Sequence, residues 1–305
     1  MAANDSSAVR IFAWVIPRTI STALTKCLSN IEGMEIWFES FSYAHFVRQE
    51  YEKTPGNEMP MEYEGHEDTA REAAELFMAR FQGSGLVPER VVYGNLRKEL
   101  QASSSKYIFA KEGYLAFPDK RSRQYMVPGF KHVFLIRDPV AVFTSYKKTS
   151  YREMTRMGVR SGDPEDEEAF DIEYDDPILN AGEFFSGTVE CFRYVRENLD
   201  PNPIVINSDD LLANPAEVLK KFCHLTGLPY SDSLLQWDAS KDITKTWKTA
   251  GNESLLNSIF YETAVTSGKF LPPKKAIPSD KLPPDVRRLA HQSMPYFEEM
   301  NKYKI

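Results

Sequence analysis

Two short stretches of this chain place donors for an anion where helices are expected to begin. The first is the polar turn Pro17-Arg18-Thr19-Ile20-Ser21-Thr22, which links an apolar run to a helical pattern. Free amides of a first helical turn, together with the helix dipole, favour a negative charge there. Arg18 adds a planar fork suited to phosphate or sulfate, and Thr19, Ser21 and Thr22 add hydroxyls. The second stretch is Val133 to Lys148, VFLIRDPVAVFTSYKK. Arg137 leaves the end of an apolar run, Pro139 suits the first turn of a helix, and Ser145 follows Arg137 by about two helical turns. Arg137 and Ser145 could therefore approach one phosphate from two sides, with Lys147 and Lys148 adding positive potential. Taken singly, each stretch has a plainer reading: a strand–helix connection capped by Ser21 or Thr22, and an Arg137 paired with Asp138 or a helix end. The first turn has no glycine and no Lys-Ser/Thr pair, so it departs from the GxxxxGK[ST] loop of nucleotide triphosphatases.

The elements that must position these residues alternate. Val9 to Ile16 reads as a strand buried on both faces. Ala23, Leu24, Cys27, Leu28 and Ile31 then recur at helical spacing, with Gly33 as a stop. Met34–Phe38, Lys106–Lys111, Lys131–Ile136 and Pro203–Asn207 are further strand segments. Helices are expected over 66–82, from about 139 to 149, over 181–198, from Pro215 to Leu225, and from about 284 to 300. Strands alternating with helices predict an α/β fold with a P-loop-like, doubly wound, mainly parallel sheet flanked by helices. No linker divides residues 1–305, so one domain is expected, with loop insertions near 40–65 and 150–180. Positions 163–176 carry nine acidic side chains among fourteen, which reads as a solvated loop or flap.

Composition narrows the classes. The 305 residues are 42% hydrophobic and 27% charged, ordinary globular usage. A net charge of −7 disfavours a nucleic-acid or anionic-membrane partner. Cys27, Cys191 and Cys223 are scattered, which fits buried thiols in a reducing compartment. With no signal-peptide pattern and no long apolar run, a cytoplasmic location is expected. His66, His132, His224 and His291 have no partners at ligand spacing, so no metal is assigned, and homo-oligomerisation is left open.

The motifs together resemble the sulfotransferase superfamily, which uses PAPS (3′-phosphoadenosine 5′-phosphosulfate). Pro17 to Leu24 is similar to the 5′-phosphosulfate loop that reads PRSGTTLL in tyrosylprotein and bacterial-type members, with Ile20 standing in place of the loop glycine. Arg137-Asp138-Pro139 with Ser145 is similar to the 3′-phosphate motif. Asn207 to Trp237 looks like the region carrying Y-E-D-L, N-P and G-L-P. The resemblance implies sulfuryl transfer from PAPS to a hydroxyl or amine of a small-molecule acceptor, leaving PAP and needing no metal.

It also implies roles. Arg18, Thr19, Ile20, Ser21, Thr22 and Ala23 would grip the phosphosulfate, Arg137 and Ser145 the 3′-phosphate, and Trp247 and Lys248 the nucleotide. Lys111 would sit at the leaving oxygen. Glu39, which follows Arg18 by the same offset as the base glutamate of tyrosylprotein members, would be the base, with His45 and Glu112 as rivals. Two other readings stand beside this one: a kinase or nucleotide hydrolase with a degenerate loop, and a non-catalytic nucleotide-binding regulator.

Overall fold

A computed structural model describes residues 8–81, 85–160, 166–272 and 277–305. Strand β1 (Val9–Val15) feeds helix α1 (Ser21–Leu28), and β2 (Met34–Phe38) follows. Next come α2 (Ser40–Tyr51), α3 (Glu67–Phe81), α4 (Tyr93–Ala102), β3 (Tyr107–Gly113) and the short α5 (Lys120–Arg123). Strand β4 (Lys131–Ile136) leads into α6 (Pro139–Met157), α7 (Phe184–Asn198) and β5 (Ile204–Asn207). Helices α8 (Ser208–Ala213), α9 (Pro215–Thr226), α10 (Ile259–Val265) and α11 (Pro284–Asn301) complete the described α-helices, and short 3-10 turns lie between them.

The five strands form one all-parallel sheet in the order β2-β3-β1-β4-β5. Side chains alternate across it, as a period of two requires. Ile11, Ala13 and Val15 of β1 join Leu24 of α1 and Phe222 of α9 on one face. Phe12 and Trp14 join Phe41 of α2, Leu96 of α4 and Phe192 of α7 on the other. The apolar run of β1 is thus buried on both sides, as its sequence predicts. Helix α1 packs on one sheet face, whereas α6, leaving the adjacent strand β4, packs with α11 in a separate cluster, and a crevice lies at the carboxyl ends of the strands. Late chain meets both edges of the sheet. Lys248 pairs with β2 (Lys248 N to Ile36 O 2.9 Å, Phe38 N to Lys248 O 2.8 Å), and Ile305 N donates to Val205 O of β5 at 3.0 Å.

Several expectations need correction. Residues 40–51 are helix α2 rather than part of an unpatterned loop, and α6 continues to Met157 rather than ending near 149. Helix α1 stops at Leu28; Gly33, at φ 81°, turns the chain into β2 instead. The acidic stretch is not a simple solvated loop where it is described. Phe170 and Ile172 are buried, Asp171 and Glu173 pair with Arg288, and Asp176 accepts from Tyr146 and Ser150. Two apolar anchors and neutralised carboxylates outweigh its raw charge; residues 163–165 lie outside the described residues. No described helix is long and apolar enough to cross a membrane.

Candidate active site

The crevice holds a cavity of about 410 Å³. Its polar end is built by Arg18, Ser21 and Thr22 after β1, Glu39 after β2 and Lys111 in β3. Parallel strands deliver these side chains to one place although they are far apart in sequence.

Local backbone is bent to present them. Among the described residues, the non-glycine residues in the left-handed region are Arg18 (φ 70°), Ile20 (φ 53°) and Glu39 (φ 54°). Such a conformation costs about 1–3 kcal/mol and survives only where surroundings impose it. Ile20 therefore holds a left-handed turn although β-branched residues rarely adopt one. Ile20 is also the N-cap of α1, without a side-chain cap, so neither Ser21 nor Thr22 caps that helix. Both hydroxyls line the cavity instead.

Glu39 is the N-cap of α2 and receives two donors. Lys111 Nζ donates to one carboxylate oxygen and the Tyr261 hydroxyl to the other. Lys111 is only 3% exposed and lies over the Phe38 ring at 4.2 Å. Tyr43 adjoins Tyr261, and burial followed by the Glu39 charge pushes both phenols well up. Glu112, one residue beyond Lys111, points to the other side of β3. It accepts from Phe41 N (3.0 Å), Ser42 N (2.8 Å) and Ser42 Oγ (2.8 Å), and burial pushes it up to about 8 despite these donors. It anchors the start of α2. His45 lies inside α2 rather than in a polar loop, and burial followed by the Arg48 charge pushes it down to about 4. Of Glu39, His45 and Glu112, only Glu39 lines the cavity.

Arg18 Nε donates to Ser145 Oγ at 3.0 Å, and another nitrogen of its fork donates to Phe260 O at 2.7 Å. Burial, then the Arg137 charge, lowers Arg18 to about 10. Arg137 donates to Arg18 O (3.1 Å) and to Asp209 Oδ1 (3.1 Å); Asp209 also accepts from Asp138 N. Arg137 thus pairs with Asp209, while Asp138 caps α6 through Ala141 N.

Other expected ligands are placed elsewhere. Thr19 is fully buried and its hydroxyl donates to Ile16 O at 2.7 Å. The Ile20 and Ala23 side chains pack on the core beneath α1, so neither side chain lines the cavity. Trp247 stacks on Phe38 (4.9 Å) and donates to Ser29 Oγ, and Lys248 pairs with Glu35 at 3.2 Å, so neither lines the cavity. Lys147 is buried against Asp285 (2.9 Å) and the carbonyl of Phe170, and cannot add potential near Arg137 as expected. Sequence reasoning missed Tyr43, Tyr261, the Phe260 carbonyl and Asp209. The aromatics carried no signal beyond ordinary core composition; Asp209 could have been found as the acidic first turn following Asn207.

No family model matches the sequence. The chain is 23% identical over 266 residues to branched-chain-amino-acid aminotransferase-like protein 2 of Arabidopsis thaliana. That alignment covers 87% of this chain but only 37% of that relative's length. Among solved structures, the chain is similar to the sulfotransferase domain from the curacin biosynthetic pathway (TM-score 0.43, 15% identity, 94% of this chain and 97% of that one). It is similar to the sulfotransferase domain of the Synechococcus PCC 7002 olefin synthase (0.42, 14%, 92% and 93%). It is also similar to a sulfotransferase from Alicyclobacillus acidocaldarius (0.39, 14%, 73% and 83%). These solved neighbours are all sulfotransferases or sulfotransferase domains.

Proposed function

We propose that the chain transfers a sulfuryl group from PAPS to a hydroxyl of a small-molecule acceptor. The observation that carries this reading is the convergence of Arg18, Glu39 and Lys111 on one cavity at the carboxyl ends of β1, β2 and β3, with Ser145 bonded to Arg18. The donor set fits a phosphosulfate. The amides of Ser21, Thr22 and Ala23 precede the first intrahelical bond of α1, from Leu24 N to Ile20 O, and are free for a ligand. The Ser21 and Thr22 hydroxyls open onto the same space.

When bound, PAPS supplies a sulfuryl group on a phosphate anhydride, whose oxygen keeps the bond's electron pair as the acceptor oxygen takes the sulfur. Glu39 accepts the acceptor's hydroxyl proton at its carboxylate. Lys111 and Arg18 offset the negative charge that grows on the leaving phosphate, in a site where water screens little. The Tyr261 hydroxyl fixes the Glu39 carboxylate. Positioning and charge stabilisation then carry the catalysis, as in phosphoryl transfer.

Calorimetric titration with PAP, with ATP as control, tests the reading on wild type and Arg137→Ala. Micromolar PAP binding that is lost in the variant supports it. Glu39→Gln should keep PAP binding and lower kcat with radiolabelled PAPS by about 10²–10⁴. Preference for ATP with Mg²⁺-dependent turnover would replace it with the kinase reading.

A further inference from the structure

The cavity has two unlike ends. Away from Glu39 and Lys111 its wall is Phe46 of α2, Phe77, Met78 and Phe81 of α3, Met157 of α6 and Leu255. These side chains belong to one apolar cluster, distinct from those on the two sheet faces and built mainly where α2 packs on α3. Tyr43 is part of that cluster and adjoins Tyr261, so it joins the apolar wing to the Glu39 carboxylate.

Beyond Asn257, the polar side chains on this part of the lining are largely committed to partners within the protein. Each lining cation among the described residues already has a partner. Lys111 faces Glu39; Arg156 binds both oxygens of Glu153 at 2.8 and 2.9 Å; Arg18 is held by Ser145 and Phe260 O. The Ser42 hydroxyl donates to Glu112, and the Ser258 hydroxyl accepts from Phe260 N. Burying sugar hydroxyls or peptide groups against such a wall would leave them unpaired, at a cost of about 1–3 kcal/mol each.

Resting on the sulfuryl-transfer reading, we infer that the acceptor is an uncharged alcohol or phenol on an apolar body. Its hydroxyl lies at Glu39 and its hydrocarbon lies along Phe46, Phe77, Met78, Phe81 and Met157. Met78 and Met157 are unbranched and polarizable, so the wing accepts hydrocarbon bodies of differing outline.

The test separates this inference from the donor reading. The full chain is assayed with radiolabelled PAPS against butanol, hexanol, octanol and decanol, against octylphenol, and against glucose and an acidic tyrosine peptide. The expected result is kcat/KM rising about fourfold per added methylene until the wing is full, with no product from glucose or peptide. Met157→Glu and Met78→Glu should flatten that slope, and Met157→Leu should restore it. In parallel, octylphenol binding is measured by calorimetry without any donor. PAP binding with a flat chain-length dependence, or sulfation of glucose or the peptide, overturns the acceptor inference while leaving the donor reading intact. Absent PAP binding, with octylphenol bound by wild type and not by Met157→Glu, sinks the donor reading and sustains the apolar site. Absent octylphenol binding overturns the site.

Discussion

Arg18 and Ser145 are 127 residues apart in the chain, yet Arg18 Nε and Ser145 Oγ are 3.0 Å apart. The resemblance to sulfotransferases assigns them to opposite ends of a nucleotide. The fold makes them one unit, because β1 and β4 are neighbours and each ends beside the other's following helix. A hydrogen bond to a charged group contributes about 1.5–3 kcal/mol. Ser145→Ala is therefore expected to weaken PAP binding by about tenfold or more, and Arg18→Lys, which loses the fork, to weaken it further. Titration calorimetry checks both; unchanged affinity in Ser145→Ala would show that the pair does not serve the ligand.

Tyr261 has no sequence signature, yet its hydroxyl donates to the Glu39 carboxylate, the proposed base. Tyr261→Phe keeps the ring that lies 5.7 Å from Lys111 Nζ and removes only the hydroxyl. Its expected effect is a fall of about tenfold in kcat with little change in the KM for PAPS. An equal loss in both constants, or a fall in melting temperature alone, would assign Tyr261 to architecture.

Ile20 adopts a left-handed conformation that suits glycine. Elsewhere alanine is usually the more stable of two small replacements, because glycine gains more freedom on unfolding. Here the order should reverse. Ile20→Gly should be more stable than Ile20→Ala by about 1 kcal/mol, since only glycine takes φ 53° without strain. Urea unfolding of the two variants decides it.

Acid should destabilise the fold through His132. Trp14 Nε1 donates to its Nδ1 at 3.0 Å, which requires a neutral ring, and burial pushes the imidazole down to about 4. Between pH 6.5 and about 4 the unfolded chain binds a proton that the folded chain refuses. Stability is fully present above 6.5 and falls as pH drops through that window, by roughly 3 kcal/mol. His45 acts in the same direction, and Glu112 in the opposite one up to about pH 8. Comparing wild type with His132→Asn, which keeps an acceptor but does not titrate, cancels both. The variant should show the shallower loss of urea midpoint on acidification, and equal slopes would refute the assignment.

The strands were legible because burial on both faces leaves unbroken apolar runs: β2 and β4 begin and end where their sequences predict. Helix α2 was hidden because its amides are capped from a distant strand. Glu112 of β3 bonds Phe41 N and Ser42 N, and no local capping signal marks its start. Arg18, Glu39 and Lys111 entered as a set through the resemblance to sulfotransferases, and the parallel strands bring them to one cavity. Tyr43, Tyr261 and the Phe260 carbonyl could not be read, since aromatic rings and backbone carbonyls carry no spacing rule. Lys147 misled for the converse reason: a lysine followed by another reads as surface charge, and only the packing of α11 places Asp285 against it.

The pairing of Lys248 with β2 and of Ile305 with β5 bears on how the molecule behaves in a crowded solution. An open strand edge is a template on which a second chain can add a strand. Each outer strand here is partly occupied by backbone from the last quarter of the sequence, so the sheet's resistance to self-association is supplied by segments outside it. A chain lacking residues 303–305 leaves Val205 O of β5 unpaired, with the cavity walls untouched. Concentration-dependent growth in light scattering, absent from the full chain, is the expected signature of that exposed edge.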